Sequence, residues 1–407
     1  MREAWSALWT SRLLVWAAGI LGVIWFGRVP GTEGLDYGGL SSSFSPFGNL
    51  LVAPAARWDS AWYLLLARDG YAHSPDHMKA AFYPLYPLLM HAGGWIVGSQ
   101  LVAGILISLA CLLAALVLLY RLAAIELGAA HARSTVLLVA FSPAAFFLSA
   151  VYTEGLFLLL SVGAILAARQ GRWAWAGIAG GLAALTRNSG IVVLVPLLVL
   201  FLYGPRGDRP AAAPRSWWRP RYALTRQALW LVLVPTGLVL FLAYCAVEFH
   251  DALAPFHVQH LWFRHTELLG GVTGGASAAW NELRELVTAK GPLSFTRGGT
   301  GPFYIAGQSL MLFGFLVFAL VALVGVLRRL PLAYGAYVAC ALVLTLSSPV
   351  AMQPLASLPR YIVVLFPLQM WLAQWCDERG RLERTVGISA VLLGIMTAQF
   401  ARWGFVA

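Results

Sequence analysis

The chain is poor in charge. Only 11% of its 407 residues are Asp, Glu, Lys or Arg, under half of the roughly 25% found in an ordinary soluble domain. So few charges cannot cover a water-facing surface, because large apolar patches are not tolerated there. The scarcity excludes a soluble globular enzyme, a disordered chain and a fibrous protein. Lysine is nearly absent: Lys79 and Lys290 are the only two among 28 basic residues. Cysteine is scarce as well. Cys111, Cys245, Cys340 and Cys376 lie in or beside apolar runs, with no CxxC and no Cys/His ligand spacing. That pattern predicts four buried thiols and implies neither a disulfide framework nor a zinc site. What fills the chain is apolar, at 60% hydrophobic and 13% aromatic, with a mean hydropathy of +0.74. Lipid is the solvent such a composition fits. The net charge of +11 reads as arginine retained in cytoplasmic loops rather than as nucleic-acid binding. No basic stripe with interleaved aromatics occurs outside membrane-flanking loops.

A helix crosses hydrocarbon in about 20 residues. Apolar runs near that length fall at 12–27, 97–120, 133–150, 152–169, 173–188, 190–204, 228–247, 305–327, 331–349, 360–376 and 384–402. The expectation is an all-α polytopic membrane protein with about eleven transmembrane helices, a single membrane domain over 1–407, no internal repeat and no appended soluble domain. The first run lacks a small-x-small cleavage site and reads as an uncleaved anchor. Segment 82–96 contains Pro84, Pro87, His91, Gly93 and Gly94 and reads as re-entrant or interfacial. With the N-terminus inside, the pieces 1–12, 121–133, 168–172, 205–227, 328–331 and 376–384 hold 17 of the 28 basic residues, the positive-inside pattern. Loop 205–227 then reads as a cytoplasmic tether on anionic headgroups, with Trp217 and Trp218 at the interface. Two long loops, 28–96 and 248–304, fall outside, which places the chemistry on the outer face.

The first outer loop contains RWDSAWYLLLARDGY, Arg57 to Tyr71. Helical spacing puts Asp59, Trp62, Tyr63 and Leu66 on one side of an amphipathic helix suited to the membrane interface. Asp59 falls near its start, where the helix dipole favours a carboxylate. A carboxylate base beside aromatic faces is what a reacting sugar hydroxyl needs. The plainer alternative is an N-cap paired with Arg57. Glu154, Arg187, Asn188 and Arg360 fall at outer ends of spans, where ionisable groups are costly and face a cavity or a partner. A Glu154–Arg187 or Asp59–Arg360 pair with a purely structural role is the alternative there. The second outer loop is rich in histidine (His250, His257, His260, His265), but no HExxH or comparable ligand spacing appears.

Taken in order, RWDSAWYLLLARDGY, AFYPLYPLL (81–89), SPAAFFLSAVYTEGLF (142–157), GRWAWAGIAGGLAALTRNSG (171–190) and SLPRYIVVLFPL (357–368) resemble the PIG-V family, the GPI mannosyltransferase 2 group of glycosyltransferase family 76, and its bacterial homologues. The loop around Gln259, Trp262 and Arg264 is similar to that family less closely. The resemblance implies a GT-C membrane glycosyltransferase in a bacterial inner membrane, taking mannose from a polyprenyl-phosphate-mannose donor to an acceptor that the sequence does not identify. It implies inversion at the sugar, with Asp59 as general base. Arg57, Trp62, Tyr63, Tyr83, Glu154, Asn188, Gln259 and Trp262 are substrate-binding candidates. Arg187 and Arg360, with Arg264 third, are candidates for the leaving phosphate. No cofactor and no essential metal is expected. The competing readings are a transporter or flippase of a lipid-linked sugar, against which the lack of inverted repeats speaks, and a non-catalytic scaffold.

Overall fold

The computed structural model describes residues 1–72, 77–209, 219–288 and 302–406. Trp217 and Trp218, and Lys290, lie outside the described residues. Helices dominate: α1 (Arg2–Phe26), α2 (Pro46–Val52), α3 (Ser60–Asp69), α4 (Leu85–Val97), α5 (Gln100–Leu127), α6 (Ala129–Ala140), α7 (Glu154–Arg169), α8 (Trp173–Ala184), α9 (Leu194–Tyr203), α10 (Leu233–Glu248), α11 (Ala254–His257), α12 (Gly270–Thr288), α13 (Pro302–Arg329), α14 (Leu332–Leu346), α15 (Leu358–Val364), α16 (Phe366–Asp377) and α17 (Leu382–Ala401). An isolated antiparallel bridge joins Arg264 to Val350. Among the described residues, five helical runs are long and apolar enough to cross a membrane: Arg2–Phe26, Gln100–Leu127, Arg226–Glu248, Ile305–Arg329 and Leu382–Ala401. The other six predicted runs are also helical, but shorter or broken. The chain is a multi-pass, all-helical membrane protein.

Around α5 pack α4, α6 and α7; α7 hands on to α8, and α8 to α10; α1 pairs with α17, and α13 with α12 and α16. Contact between α8 and α10 is at backbone distance. A Cβ on Gly181 would meet the Leu233 carbonyl oxygen at 2.6 Å, the close approach that small residues allow between helices in lipid.

The breaks are informative. Run 133–150 is not one helix: α6 ends at Ala140, and Ser142–Pro143 starts a buried irregular stretch to Thr153. Pro143 cannot donate to the helix, and its ring disfavours helical geometry in the residue before it. Arg12 makes the break possible. Unlike Arg2, which is exposed, it is buried in the bundle, donating to the carbonyls of Ala140 (2.8 Å) and Ala145 (2.7 Å) and to Ser149 Oγ (2.7 Å). A second break follows α8, where Arg187 is extended and 188–193 form a 3-10 turn. Gly190 is required there, since a Cβ would lie 2.0 Å from the Ala183 carbonyl oxygen. A third separates α15 from α16 at Leu365, before Pro367. Irregular backbone at membrane depth persists only where protein covers it or it lines a cavity. Segment 82–96 becomes α4, 13 residues long, too short to span hydrocarbon untilted.

The charged side chains sort to two ends. At one, Arg169 and Tyr334 both donate to Glu126 Oε1, the second at 2.8 Å. His131 and Ser134 hold Asp377 at 2.6 and 2.8 Å, and Arg329 meets Glu378 at 2.5 Å. Except for Tyr334, these residues fall in or beside the pieces that the arginine distribution assigns to the inner face. The opposite end holds the candidate site. Of the cysteines, Cys111, Cys245 and Cys376 are buried as expected. Cys340 is instead exposed on α14; an apolar run does not tell which side of its helix is covered by protein.

Candidate active site

The first two helix breaks, the loops before α3 and α4, the 259–264 loop, residues 350–361 and Phe405 meet at that end around a cavity of about 630 Å³. The first contribution is Asp59. It stands at the N-terminus of α3, but its side chain caps nothing. Instead Oδ2 accepts from Arg360 Nη1 at 2.5 Å. Arg360 also donates through Nε to Glu154 Oε1 at 2.9 Å, and Arg187 Nη1 reaches the same oxygen at 3.4 Å. The result is a chain of alternating charge, Asp59–Arg360–Glu154–Arg187. Glu154 is fully buried behind it, and its Oε2 has no partner among the described residues. Asp59 is 31% exposed and lines the cavity; its Oδ1 makes no hydrogen bond among the described residues.

Aromatic rings hold this array in place. Arg360 lies over the Tyr152 ring at 4.6 Å, and Arg187 over Tyr361 at 4.6 Å. The Tyr152 hydroxyl accepts from the Asp59 backbone N–H (3.2 Å) and donates to the Arg57 carbonyl (3.1 Å), fastening the Asp59 loop to the irregular 141–153 stretch. Both partners of the Asp59–Arg360 pair follow left-handed non-glycine residues, Trp58 at φ 56° and Ser357 at φ 69°. Such conformations are strained and persist where the surroundings enforce them, often at functional sites.

One wall is aromatic. Trp62 stacks on Phe82 (5.6 Å between centroids), meets Trp262 edge-on (6.1 Å) and neighbours Tyr37 (5.0 Å). Tyr63 packs behind, buried against Phe82 and Tyr86. Tyr83 contributes a buried hydroxyl with no hydrogen-bond partner among the described residues. On the far side, Arg264 donates to the Ser348 carbonyl (2.9 Å) and to Ser357 Oγ (3.1 Å). It has no carboxylate partner among the described residues, which sets it apart from Arg187 and Arg360. Asn188 and Gln259 complete the polar rim.

Ten of the twelve residues singled out from sequence therefore line one cavity: Asp59, Trp62, Tyr63, Tyr83, Arg187, Asn188, Gln259, Trp262, Arg264 and Arg360. Glu154 supports it from behind. Arg57 is placed elsewhere, with Nε on the Ala401 carbonyl at 2.7 Å, in a neighbouring cavity; the Asp59–Arg57 pair does not form. Sequence reasoning passed over Tyr37, Phe82, Tyr152 and Tyr361. Three of these sit inside the quoted motifs, and their aromaticity beside a charged residue was the available signal. The histidines disperse: His257 Nδ1 meets Asp251 (2.8 Å) and His260 Nδ1 meets the His257 carbonyl (2.6 Å). Among the described residues no three His, Cys, Asp or Glu side chains converge. Outside the cavity, Arg68 pairs with Asp69 on the surface at 2.7 Å and holds the Asp69 carboxyl below its ordinary range.

Fold and site together define a multi-pass helical membrane protein whose largest described site is an arginine-lined, aromatic-walled cleft that holds a carboxylate. Within that class, residues 41–200 match the model of the mannosyltransferase (PIG-V) family, so the resemblance read in the sequence is borne out over this stretch. It takes in four of the five motifs; the fifth, with Arg360, lies beyond it and is brought to the same cavity by the fold. GPI alpha-1,6-mannosyltransferase 2 of Mus musculus is 30% identical over 213 residues, 48% of this chain and 41% of that protein. Its counterpart in Rattus norvegicus is 30% identical over 168 residues, 37% and 32% of the two chains. The chain thus aligns with less than half the length of these relatives. Among solved structures, the apo oligosaccharyltransferase of Archaeoglobus fulgidus aligns with a TM-score of 0.49 at 14% identity, over 99% of this chain and 56% of that one. ArnT from Cupriavidus metallidurans bound to undecaprenyl phosphate aligns at 0.40 and 17%, over 96% and 76%.

Proposed function

We propose that the protein is a membrane mannosyltransferase that moves mannose from a polyprenyl-phosphate-mannose donor to an acceptor on the outer face, with inversion at the sugar carbon. The observation that carries this reading is the meeting of a cavity-facing carboxylate, an arginine without a carboxylate partner and a wall of indole and phenyl rings in one space. The family match supports the class of reaction. In the proposed step an acceptor hydroxyl binds against Asp59 Oδ1. Arg360 grips Oδ2 and fixes the carboxylate's direction. As the acceptor oxygen attacks C1 from the face opposite the phosphate, its proton passes to Asp59, the C1–O(phosphate) bond breaks and polyprenyl phosphate leaves. The leaving group carries away a negative charge that an arginine stabilises by paired hydrogen bonds. Arg187 and Arg360 already share Glu154, so Arg264 is the better candidate for that contact. Trp62 and Trp262 offer faces to the sugar. The outward direction rests on the arginine-rich pieces gathering at the opposite end.

The test uses radiolabelled polyprenyl-phosphate-mannose with purified protein in vesicles that also carry membrane extract as acceptor. An enzyme releases polyprenyl phosphate and moves label into product. Label that crosses the bilayer with the donor intact identifies a transporter and defeats the proposal. Running glucose and galactose donors beside mannose tests the sugar assignment.

A further inference from the structure

A second cavity, of about 250 Å³, opens between α1, α2 and α17 at the same end. Three guanidiniums line it: Arg28, Arg57 and Arg402. None has a carboxylate in an ion pair among the described residues. Arg57 is buried and donates to carbonyls and to Ser41 Oγ (3.4 Å), while its Nη2 makes no hydrogen bond among the described residues. Arg402 Nε is buried with no partner among the described residues. The Trp403 ring lies 4.8 Å from the Arg28 guanidinium and 5.2 Å from that of Arg57. Burial lowers Arg57 to about 10 from its ordinary value, opposed by the nearby Asp36. Asp36 itself is engaged by the Ser41 N–H (2.9 Å) and the Ser42 hydroxyl (2.5 Å).

Gathering three cations in a partly buried cleft is costly unless an anion offsets them. The surroundings say where that anion comes from. Val23 and Leu50 line the cleft; Phe26, over which Arg402 lies at 5.5 Å, is exposed, as are its chain neighbour Trp25 and Phe47, next to the lining residue Pro46, and exposed aromatic side chains mark a membrane interface. The space takes a phosphate with part of its glycerol, since a water occupies about 30 Å³.

We infer that Arg28, Arg57 and Arg402 form a binding site for the phosphate headgroup of an anionic membrane lipid, separate from the catalytic cavity, with Arg57 two residues before Asp59 along the chain. The site stands on its own geometry and does not require the proposed transferase reaction. Detergent-purified full-length protein is titrated with phosphatidylglycerol or phosphatidylcholine, and bound lipid is counted by native mass spectrometry. Wild type is expected to hold one phosphatidylglycerol at least about tenfold more tightly than phosphatidylcholine. Arg28→Gln and Arg402→Gln should each weaken it about tenfold, as loss of one charge-assisted contact does, and Arg402→Lys should retain most of it. Inorganic phosphate should compete only weakly. Equal retention of the two lipids by wild type overturns the inference without relying on any variant. So does displacement of the lipid by inorganic phosphate at matching affinity, which would make this a free-anion site. Glutamine variants that elute as monodisperse protein and still bind phosphatidylglycerol at full strength overturn it as well.

Discussion

Asp59 and Glu154 are both carboxylates bonded to Arg360, yet the protein treats them differently. Glu154 is sealed behind the cavity and serves two arginines at once, so its removal leaves the buried Arg187 with no carboxylate among the described residues and Arg360 with Asp59 alone. Glu154→Ala should cost about 3–5 kcal/mol and lower the thermal midpoint together with activity; a stable, inactive variant would mean that Glu154 acts in chemistry rather than in placing Arg187 and Arg360. Arg264 is the opposite case, since its bonds are to a carbonyl and a hydroxyl that survive without it. Arg264→Ala should leave the fold intact and weaken donor handling by about 1.5–3 kcal/mol, the worth of a hydrogen bond to a charged group. Arg264→Lys should restore part of that, because a point charge lacks the planar fork. Steady-state kinetics over donor concentration decide it: an unchanged donor KM and kcat in Arg264→Ala, with a large change in Arg187→Ala, would move the phosphate to Arg187. At this scale the sequence showed which residue types matter, because ionisable groups in apolar runs are conspicuous. It did not show the pairing, since Asp59 and Arg360 are brought together only by the fold.

The helices that shape the site are the ones that stop early. Breaks at 141–153 and 185–193 put polar backbone and side chains at a depth where a continuous helix would present only a closed surface. Their cause is local. Pro143 cannot continue α6, and Gly190 lets the chain pass within contact of Ala183. Gly190→Ala forces a backbone clash and should destabilise the protein by about 1–3 kcal/mol or more. Gly307→Ala in α13 is the control, with nothing within 4 Å of the added methyl; it should be neutral or slightly stabilising, because alanine loses less entropy in a helix. A thermal melt that ranks the two variants the other way round would contradict the account of the second break. Apolar run length located the elements well. It misjudged 133–150, because hydropathy counts the residues of a buried irregular stretch as it counts those of a helix. Arg12 was misplaced for a related reason: a basic residue near an N-terminus looks like an inner-face anchor until its carbonyl partners are seen.

On the scale of the whole molecule, composition alone announced a membrane protein, and the arginine distribution divided it into two ends that the fold then separated. Cysteine labelling in a Cys340→Ala background tests which end faces out. Ser277→Cys, exposed on α12, should react with an impermeant maleimide on intact cells, and Arg379→Cys at the opposite end should not; the reverse result would put the cavity in the cytoplasm. The convergence of residues 59, 154, 187, 264 and 360 was not legible in any spacing, because five separate segments supply them. The claim that joins all three scales is that Asp59 takes the acceptor's proton. Asp59→Asn keeps the size of the side chain and leaves Arg360 its bond to Glu154, so the fold should survive. Asp69→Asn, which breaks only an exposed pair with Arg68 worth at most about 1 kcal/mol, should leave activity nearly unchanged. With purified protein at saturating donor, the account predicts that Asp59→Asn lowers turnover by about 10²–10⁴-fold, the contribution of general base catalysis, while donor binding stays within a few-fold of wild type. Turnover by Asp59→Asn equal to wild type would contradict it.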